Sequence, residues 1–462
     1  MSLSRGSCTL RAAVSKLNSF GKIFEGLPSN SSLVSCRQIS SQEVFERELE
    51  HGYETHRFQP LENGINRSSG VFVWDTEGRR YYDFVSSDSM VNHGHCHPRI
   101  FKAMVEQAAK LTYSSQPFYS DVTGEFEEHV TQLFKYDKWL PTVTEMAGVK
   151  AACKLAKNWG HAVKEIESSK LKIVLAEGSS WGPYRRPINS NVNPPITGNF
   201  ELIPYDDLTA ADEALADPSV CAFVAEPIQS EAGVLVPKDG YLKGVRELCT
   251  KHNVLWIADE VQTGLGRTGM RLAVDHEQVK PDLLILGRAL SGGMYPISGI
   301  LANDSIMSLE LPHDDESWSR GVDPLGYRIA LEALQVLEEE KLAENASKFG
   351  NILREELEKL LKQSIKSVRG KGLLNAVVLD DSIDATNVCC QLKDEGLLAK
   401  PIDDHTIRLA PPLVITEDQI YECIDIIKSV LLASDPEGGS LFVEACYESA
   451  FLATLKPQTP IL

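Results

Sequence analysis

The chain has 462 residues, 43% of them hydrophobic and 24% charged, so it can bury a large core and is long enough for two or three domains. The formal net charge of -19 argues against nucleic acid or an anionic membrane as a partner. No apolar run approaches the roughly 20 residues that span a bilayer. The ten cysteines show no CxxC spacing, which favours a reducing compartment.

The first 40 residues differ in composition from the rest of the chain. This segment is rich in serine and contains a single acid, Glu25. Its basic residues are Arg5, Arg11, Lys16, Lys22 and Arg37. Such a leader is typical of mitochondrial transit peptides, so we expect residues 1–40 to direct the protein to the mitochondrial matrix. A tail without a targeting role is the alternative.

Further along, the hydrophobic pattern predicts a helix, a hairpin and then alternating strands and helices. The helix covers residues 43–50, the hairpin residues 70–84, and residues 98–111 again have helical spacing. The strands predicted beyond residue 170 are 172–177, 200–205, 221–226, 254–260, 283–289 and 297–302. Apolar strands that alternate with helices predict an α/β fold with a mostly parallel sheet covered on both faces.

A long amphipathic helix over residues 323–340 then leads into a smaller α+β region that ends near residue 431. The predicted division is 41–100 for the N-terminal part of a small domain, 101–325 for a large domain, 326–431 for the rest of the small domain and 432–462 for a C-terminal extension. The extension is either a tolerated tail or an amphipathic segment that docks on a partner.

Two short motifs suggest sites that their context does not support. Residues 264–269 read GxGxxG after a strand, but no helix start follows, as a dinucleotide site would require. Residues 93–97 contain three histidines and one cysteine, yet their spacing fits no usual zinc pattern and no second ligand pair follows. We therefore expect neither a dinucleotide site nor a metal site.

Several passages together resemble the class III aminotransferases of pyridoxal-phosphate (PLP) fold type I, most closely the ornithine aminotransferase branch. The passages are residues 71–84, 92–98, 226–233, 257–264, 290–293 and 407–413. The resemblance extends from about residue 43 to residue 431. It implies a large domain with a mostly parallel sheet, a smaller α+β domain, PLP as the cofactor, and active sites formed at a dimer interface.

The resemblance also assigns roles to residues that this chain retains. Asp259 stands where an aspartate pairs with the pyridine nitrogen of PLP, and Gln262 where a glutamine lies near the ring's phenolic oxygen. Glu231 and Arg408 match a glutamate and an arginine of the substrate pocket, where the arginine would bind a carboxylate. Ser319 replaces a phosphate-binding threonine that the partner subunit supplies, and it keeps a hydroxyl.

At the position where the resemblance places the lysine that forms the Schiff base, this chain has Arg288. An arginine with a pKa above about 12 is no usable nucleophile or base. The phosphate loop, which in the family consists of small residues before a helix, reads Thr144, Glu145 and Met146. The bulk and the charge of Glu145 oppose a phosphate at that place.

The ring-binding and substrate-binding positions have changed as well. Ser180 replaces the aromatic residue that stacks on the ring, although Trp181 beside it remains, and Pro183 replaces an expected arginine. Phe58 and Asp88 stand at the two substrate-pocket tyrosines. Losses at several positions of one site are typical of relaxed constraint on catalysis, so the chain looks like a degenerate paralogue.

Three hypotheses follow from these residues. The first is a non-catalytic structural or regulatory protein that forms a homodimer, or a heterodimer with an active relative, and holds no covalently bound PLP. The second is an active mitochondrial ornithine aminotransferase that transfers the δ-amino group to 2-oxoglutarate. The third is a module that holds an anionic metabolite or PLP non-covalently through Arg288 and Arg408, whose charges Glu145 and Asp88 partly cancel.

Overall fold

The computed structural model describes residues 39–52, 64–114, 118–142, 144–179, 199–309, 324–360 and 364–433. The predicted transit peptide, apart from its last two residues, and nearly all of the C-terminal extension lie outside these ranges. No helix within them is long and apolar enough to cross a membrane.

The strands in chain order are β1 (Ile65–Ser69), β2 (Phe72–Asp75), β3 (Arg80–Asp83), β4 (Lys138–Thr142), β5 (Lys172–Ala176), β6 (Asn199–Ile203), β7 (Val220–Ala225), β8 (Leu255–Asp259), β9 (Leu283–Leu286), β10 (Ser298–Ala302), β11 (Ile365–Lys371), β12 (Leu374–Leu379), β13 (Leu397–Leu398), β14 (Lys400–Asp403) and β15 (Thr406–Leu409). The helices are α1 (Ser41–His51), α2 (Pro98–Lys110), α3 (Thr123–Phe134), α4 (Glu145–Ala162), α5 (Leu208–Leu215), α6 (Tyr241–Lys251), α7 (Asp304–Met307), α8 (Pro324–Glu339), α9 (Leu342–Glu358), α10 (Ala385–Asp394) and α11 (Glu417–Ala433). Two 3-10 helices cover Ala273–Glu277 and Arg288–Ser291.

The largest sheet has seven strands in the order β4-β10-β9-β8-β7-β5-β6. Strands β9, β8, β7, β5 and β6 run parallel, and β10 pairs antiparallel with both of its neighbours. Consecutive side chains of a strand point to opposite faces, so Ile257 packs in the apolar cluster beneath helix α4 and Ala258 packs in the cluster on the other face. This confirms a mostly parallel sheet that is covered on both faces.

Two four-stranded sheets complete the fold. One has the order β1-β2-β3-β13 and joins N-terminal strands to a strand more than 300 residues away in the sequence. The other has the order β11-β12-β15-β14 and is antiparallel. Strand β1 was not predicted, because its sequence is polar and mostly exposed and therefore lacks an apolar alternation.

The GxGxxG segment forms a structural junction between the loop after β8 and the β11–β12 turn. Arg267 within it is fully buried, and its guanidinium donates to Asn92 Oδ1 at 2.8 Å and to the carbonyl of Leu373 at 3.1 Å. The turn at Gly372 lies directly against Gly269, where a Cβ atom on Gly372 would come within 2.5 Å of the Gly269 nitrogen. The glycines therefore allow the β11–β12 turn to pack closely on the loop that follows β8.

Candidate active site

Asp259 and Arg288 lie at the carboxyl ends of two neighbouring parallel strands. Asp259 is the last residue of β8, and Arg288 follows β9 after Gly287. Strand β9 was predicted to reach residue 289, but it ends at Leu286, and Arg288 begins a 3-10 helix. In open α/β sheets, ligands bind at the edge formed by the carboxyl ends of the parallel strands. Asp259 and Arg288 both lie at that edge.

Asp259 is a buried carboxylate. Burial raises its pKa to about 6, and the nearby charge of Glu145 adds to the rise, although the backbone N–H of Val261 donates to Oδ1 at 3.0 Å and lowers it. The carboxylate therefore has one described donor and one like charge close by. A pyridinium nitrogen is the kind of cationic partner that this environment would favour.

Arg288 pairs with Glu145, the residue that the resemblance places in the phosphate loop. The backbone N–H and Nε of Arg288 donate to Glu145 Oε1 at 3.3 and 3.1 Å. The Glu145 side chain lies across Gly287, because a Cβ atom at 287 would stand 2.9 Å from Glu145 Cγ. The two substitutions are therefore in direct contact, although 143 residues separate them in the sequence.

The N-terminus of helix α4 holds a carboxylate of its own. Glu145 is the first residue of this helix, and Thr144 caps it by accepting from the backbone N–H of Ala147 at 3.1 Å. A helix N-terminus attracts anions, and here the chain places a carboxylate in its first turn. Met146 follows Glu145 and is exposed. A phosphate at this end of the helix would therefore meet both a like charge and a bulky side chain.

A second charged cluster surrounds Arg408 on strand β15. Its guanidinium is fully buried and donates to Ser230 Oγ at 3.0 Å, to Glu231, and to Asp88 Oδ1 at 2.6 Å. Lys400 joins the cluster from the neighbouring strand β14, where it is the register partner of Arg408. Its Nζ lies 2.5 Å from Asp88 Oδ1 and 3.5 Å from Glu231 Oε2. We call these four charged residues, Asp88, Glu231, Lys400 and Arg408, the arginine cluster.

The arginine cluster and the Asp259 region are joined through Gln262. Its Nε2 donates to Glu231 Oε1 at 3.1 Å. Burial raises the pKa of Glu231, but the charges of Arg408 and Lys400 and the hydrogen bonds from Arg408 and Gln262 outweigh burial and lower it to about 2. Glu231 is therefore ionised at neutral pH, and the cluster has two positive and two negative side chains.

Asp88 is presented by an unusual left-handed turn. Residues Ser86–Ser89 all have positive φ, at 48°, 50°, 60° and 67° in order. This conformation costs a non-glycine residue roughly 1–2 kcal/mol. Asp83 supports the turn by accepting from the backbone N–H groups of Val85 and Ser86 at 3.0 and 2.8 Å. The surrounding hydrogen bonds thus hold four residues in a backbone conformation that they would otherwise avoid.

The histidine-rich segment supports this framework. His95 Nε2 lies 2.7 Å from Asp83 Oδ2, on the residue that holds the left-handed turn. His93 Nε2 is 2.7 Å from the carbonyl of Ala333, and His97 Nε2 is 3.3 Å from a Glu340 carboxylate oxygen. The three rings thus have three different partners. Among the described residues, no three His, Cys, Asp or Glu side chains lie close enough together to hold a metal ion.

Five predicted site residues lie outside the described residues, and their predicted roles stay predictions. They are Phe58, Ser180, Trp181, Pro183 and Ser319. Conversely, the sequence did not point to Lys400 or Ser230. The single cation at Lys400, in the otherwise uncharged stretch 397–402, was the signal that could have identified the first of them. Ser230 carries no such signal, because a lone serine beside a glutamate is common on protein surfaces.

The site fits PLP only in part. The buried Asp259 carboxylate and the amide of Gln262 suit the ring nitrogen and a ring oxygen. Arg288 cannot supply the amine of a Schiff base, and Glu145 carries its charge into the helix terminus that would hold the phosphate. The described residues therefore do not fit covalently bound PLP.

Comparisons with known proteins agree with the resemblance. A family model described as aminotransferase class-III matches residues 54–431. The mitochondrial ornithine aminotransferase of Drosophila melanogaster is 54% identical over 400 residues, which cover 85% of this chain and 92% of the relative. The mitochondrial ornithine aminotransferase of Rattus norvegicus is 52% identical over 403 residues, which cover 85% of this chain and 91% of the relative.

Solved structures give the same picture. The ornithine aminotransferase of Toxoplasma gondii ME49 has a TM-score of 0.81 at 40% identity and covers 85% of this chain and 95% of its own. The Plasmodium falciparum ornithine δ-aminotransferase has a TM-score of 0.79 at 45% identity, with coverage of 85% and 98%. The fold is thus the α/β fold of PLP-dependent aminotransferases. The chain belongs to the class III aminotransferase family.

Proposed function

We propose that this protein is a non-catalytic member of the family, similar to ornithine aminotransferases but unable to form a Schiff base with PLP. The observation that carries the proposal is the ion pair between Arg288 and Glu145. It sets a guanidinium at the position of the reactive amine and a carboxylate at the position of the phosphate. A lysine at 288 alone would still lie against the Glu145 carboxylate.

The ion pair between Arg288 and Glu145 contributes little to stability, and the proposal depends on the chemical nature of the two side chains. Arg288 is 47% exposed, so the ion pair is worth no more than about 1 kcal/mol. The transaldimination chemistry of the family needs an amine that loses its proton, attacks a carbonyl carbon and later moves a proton. A guanidinium remains protonated and delocalised, so the chain has no group at residue 288 for any of these steps.

The proposal predicts no turnover of L-ornithine with 2-oxoglutarate when the purified protein is supplied with PLP. The mitochondrial enzyme of Rattus norvegicus, prepared in the same way, is the positive control. Product formation should stay at the level of a reaction without protein. Steady turnover that scales with protein concentration and is absent without PLP would refute the proposal.

An active ornithine aminotransferase is the second candidate. Identities of 52–54% to mitochondrial enzymes favour it, as do the retained Asp259, Gln262, Glu231 and Arg408. It would require another amine to reach the reacting carbon. The turnover experiment separates the two candidates, because only the second allows activity.

We further propose that the protein acts in the mitochondrial matrix, as a homodimer or as a heterodimer with an active relative. The basic, serine-rich leader and the mitochondrial names of similar proteins support the location. Membership of the family supports the dimer, because the active sites of the family form at a dimer interface.

Co-expression with an active relative distinguishes the two assemblies. We expect that a tag on this chain retains either untagged copies of itself or the active relative, and that a retained relative has altered kinetics. A protein that remains monomeric at micromolar concentration, alone and in the mixture, would contradict the assembly proposal. The catalytic proposal would be unaffected by that result.

A further inference from the structure

We propose that Asp88 is an internal occupant of a carboxylate-binding site formed by Arg408 and Lys400, and that it keeps small dicarboxylates out of that site. The inference deepens the proposed function, since it adds a second reason for inactivity. It depends on the arginine cluster and not on Arg288. The two proposals can therefore fail independently.

The burial of the charged groups gives the first argument. The Arg408 side chain is 0% exposed and that of Lys400 15%, whereas the Asp88 side chain is 45% exposed. The two cations thus belong to the protein interior, and the carboxylate approaches them from the solvent side. A soluble carboxylate would approach the pair from the same direction.

The contact geometry gives the second argument. One oxygen of Asp88, Oδ1, accepts from Lys400 Nζ at 2.5 Å and from Arg408 Nη2 at 2.6 Å. These are the short distances of charge-assisted hydrogen bonds to a carboxylate. Asp88 therefore makes the contacts that a bound carboxylate would make with these two nitrogens.

The backbone of Asp88 gives the third argument. Asp88 lies in the left-handed turn of residues 86–89, and its main chain has φ 60° and ψ 46°. Aspartate and asparagine tolerate this conformation better than other non-glycine residues. The turn thus holds the aspartate over the cations, and asparagine can replace it there without a change of backbone.

The charge balance identifies the ligand class. With Asp88 in place, the arginine cluster has two cations and two carboxylates and gives an anion no net attraction. Without the charge of Asp88, the arginine cluster would have two cations and one carboxylate, Glu231, which accepts from Arg408 and Gln262. A small carboxylate or dicarboxylate would supply the missing charge and the missing acceptor.

Glutarate is the probe, because it has two carboxylates but neither an amine nor a carbonyl that could take part in transamination. Calorimetry should detect little or no saturable binding to the wild-type protein. Asp88→Asn should bind glutarate at least about tenfold more tightly, the factor expected for one freed charged hydrogen-bond group. Asp239→Asn, which removes the charge of an exposed aspartate outside the cluster, should behave as the wild type.

Two further variants specify the mechanism. Asp88→Glu keeps the charge and should leave the site closed, whereas Lys400→Met in the Asp88→Asn background should abolish the gained affinity. A folded Asp88→Asn protein that binds glutarate no better than the wild type would overturn the inference. So would saturable binding by the wild-type protein that is lost in Lys400→Met, a result that requires no change at Asp88.

Discussion

Replacing Arg288 by lysine and Glu145 by glycine together is expected to yield a protein that forms a covalent PLP adduct, whereas Arg288→Lys alone is expected to form little or none. A lysine at 288 would lie against the Glu145 carboxylate, as the arginine does at 3.1 Å. A neighbouring negative charge raises the pKa of a lysine, so the amine would remain protonated and unreactive. The same carboxylate would oppose the phosphate at the N-terminus of helix α4.

Glycine at 145 removes both obstacles and leaves the cap at Thr144 in place. The adduct is measured as an aldimine absorbance band that borohydride removes and as a mass increase on the peptide containing residue 288. Glu145→Gly alone is the matched control, because it opens the phosphate site without supplying an amine. Complete adduct formation by Arg288→Lys alone would contradict this account of the pair, and so would its absence in the double variant.

Turnover of ornithine by the double variant is expected to stay near background. The amine would be restored, but Asp88 would still occupy Arg408, and Pro183 would still replace an arginine of the family. Adduct formation and turnover are therefore expected to separate in this variant.

Arg408→Met is expected to destabilise the protein by about 3 kcal/mol at pH 7, the cost of breaking a buried ion pair by removing one partner. The change leaves Glu231, which is largely buried, without its principal cation. Methionine fills a similar volume and cannot donate a hydrogen bond, so both Glu231 and Ser230 lose a donor. Unfolding by urea, followed by circular dichroism, measures the loss.

The loss of stability caused by Arg408→Met should become smaller as the pH falls. The folded-state pKa of Glu231 is about 2, below the ordinary 4.5, so its ion pairs stabilise the fold above pH 4.5 and lose that effect as pH falls toward 2. The gap between the wild type and Arg408→Met should therefore narrow when the measurement moves from pH 7 to about pH 4. If the difference in unfolding free energy between the two proteins grew as the pH fell, Glu231 would not be the group that Arg408 stabilises.

Arg271→Met is the matched control for this experiment. Arg271 also pairs with a carboxylate through two nitrogens, both 3.0 Å from Glu338, but the two side chains are partly exposed. Pairs of this kind contribute less than about 1 kcal/mol. If Arg271→Met lowered the free energy of unfolding as much as Arg408→Met, burial of the ion pair would not explain the destabilisation.

The central strands were predictable from sequence because they are apolar on both faces. Residues 255–259 and 283–286 are buried throughout, and such runs cannot be mistaken for exposed loops. The position of Asp259 was predictable in the same way, because it is the last residue of a strand whose end is marked by the change from apolar to charged residues. Strand β1 was not predicted, because a polar, exposed strand shows no apolar run in its sequence.

The pairings between charged residues were only partly predictable. The sequence indicated that Glu145 and Asp88 partly cancel Arg288 and Arg408, but it did not indicate which carboxylate meets which cation. Asp88 and Arg408 are 320 residues apart, and they meet because β13 joins the N-terminal sheet beside β3 while β15 lies next to β14. Contacts of this kind depend on strand order, which local patterns do not specify.

The left-handed turn at residues 86–89 was not predictable for a related reason. Three serines and an aspartate suggest a loop or a helix cap, and nothing in their order specifies four consecutive positive φ values. The conformation is imposed by Asp83 and, through it, by His95. The predicted domain boundaries and the transit peptide stay predictions.

The central claim is that this chain cannot hold PLP covalently, because residue 288 is an arginine, and trapping tests this claim most directly. The wild-type protein is incubated with PLP, reduced with borohydride, digested and examined by mass spectrometry, with the enzyme of Rattus norvegicus treated in parallel. We predict no PLP-derived mass on any peptide at a stoichiometry near one per chain, while the rat enzyme is fully labelled. One equivalent of PLP on a specific residue of this chain, together with a borohydride-sensitive aldimine band, would contradict the account.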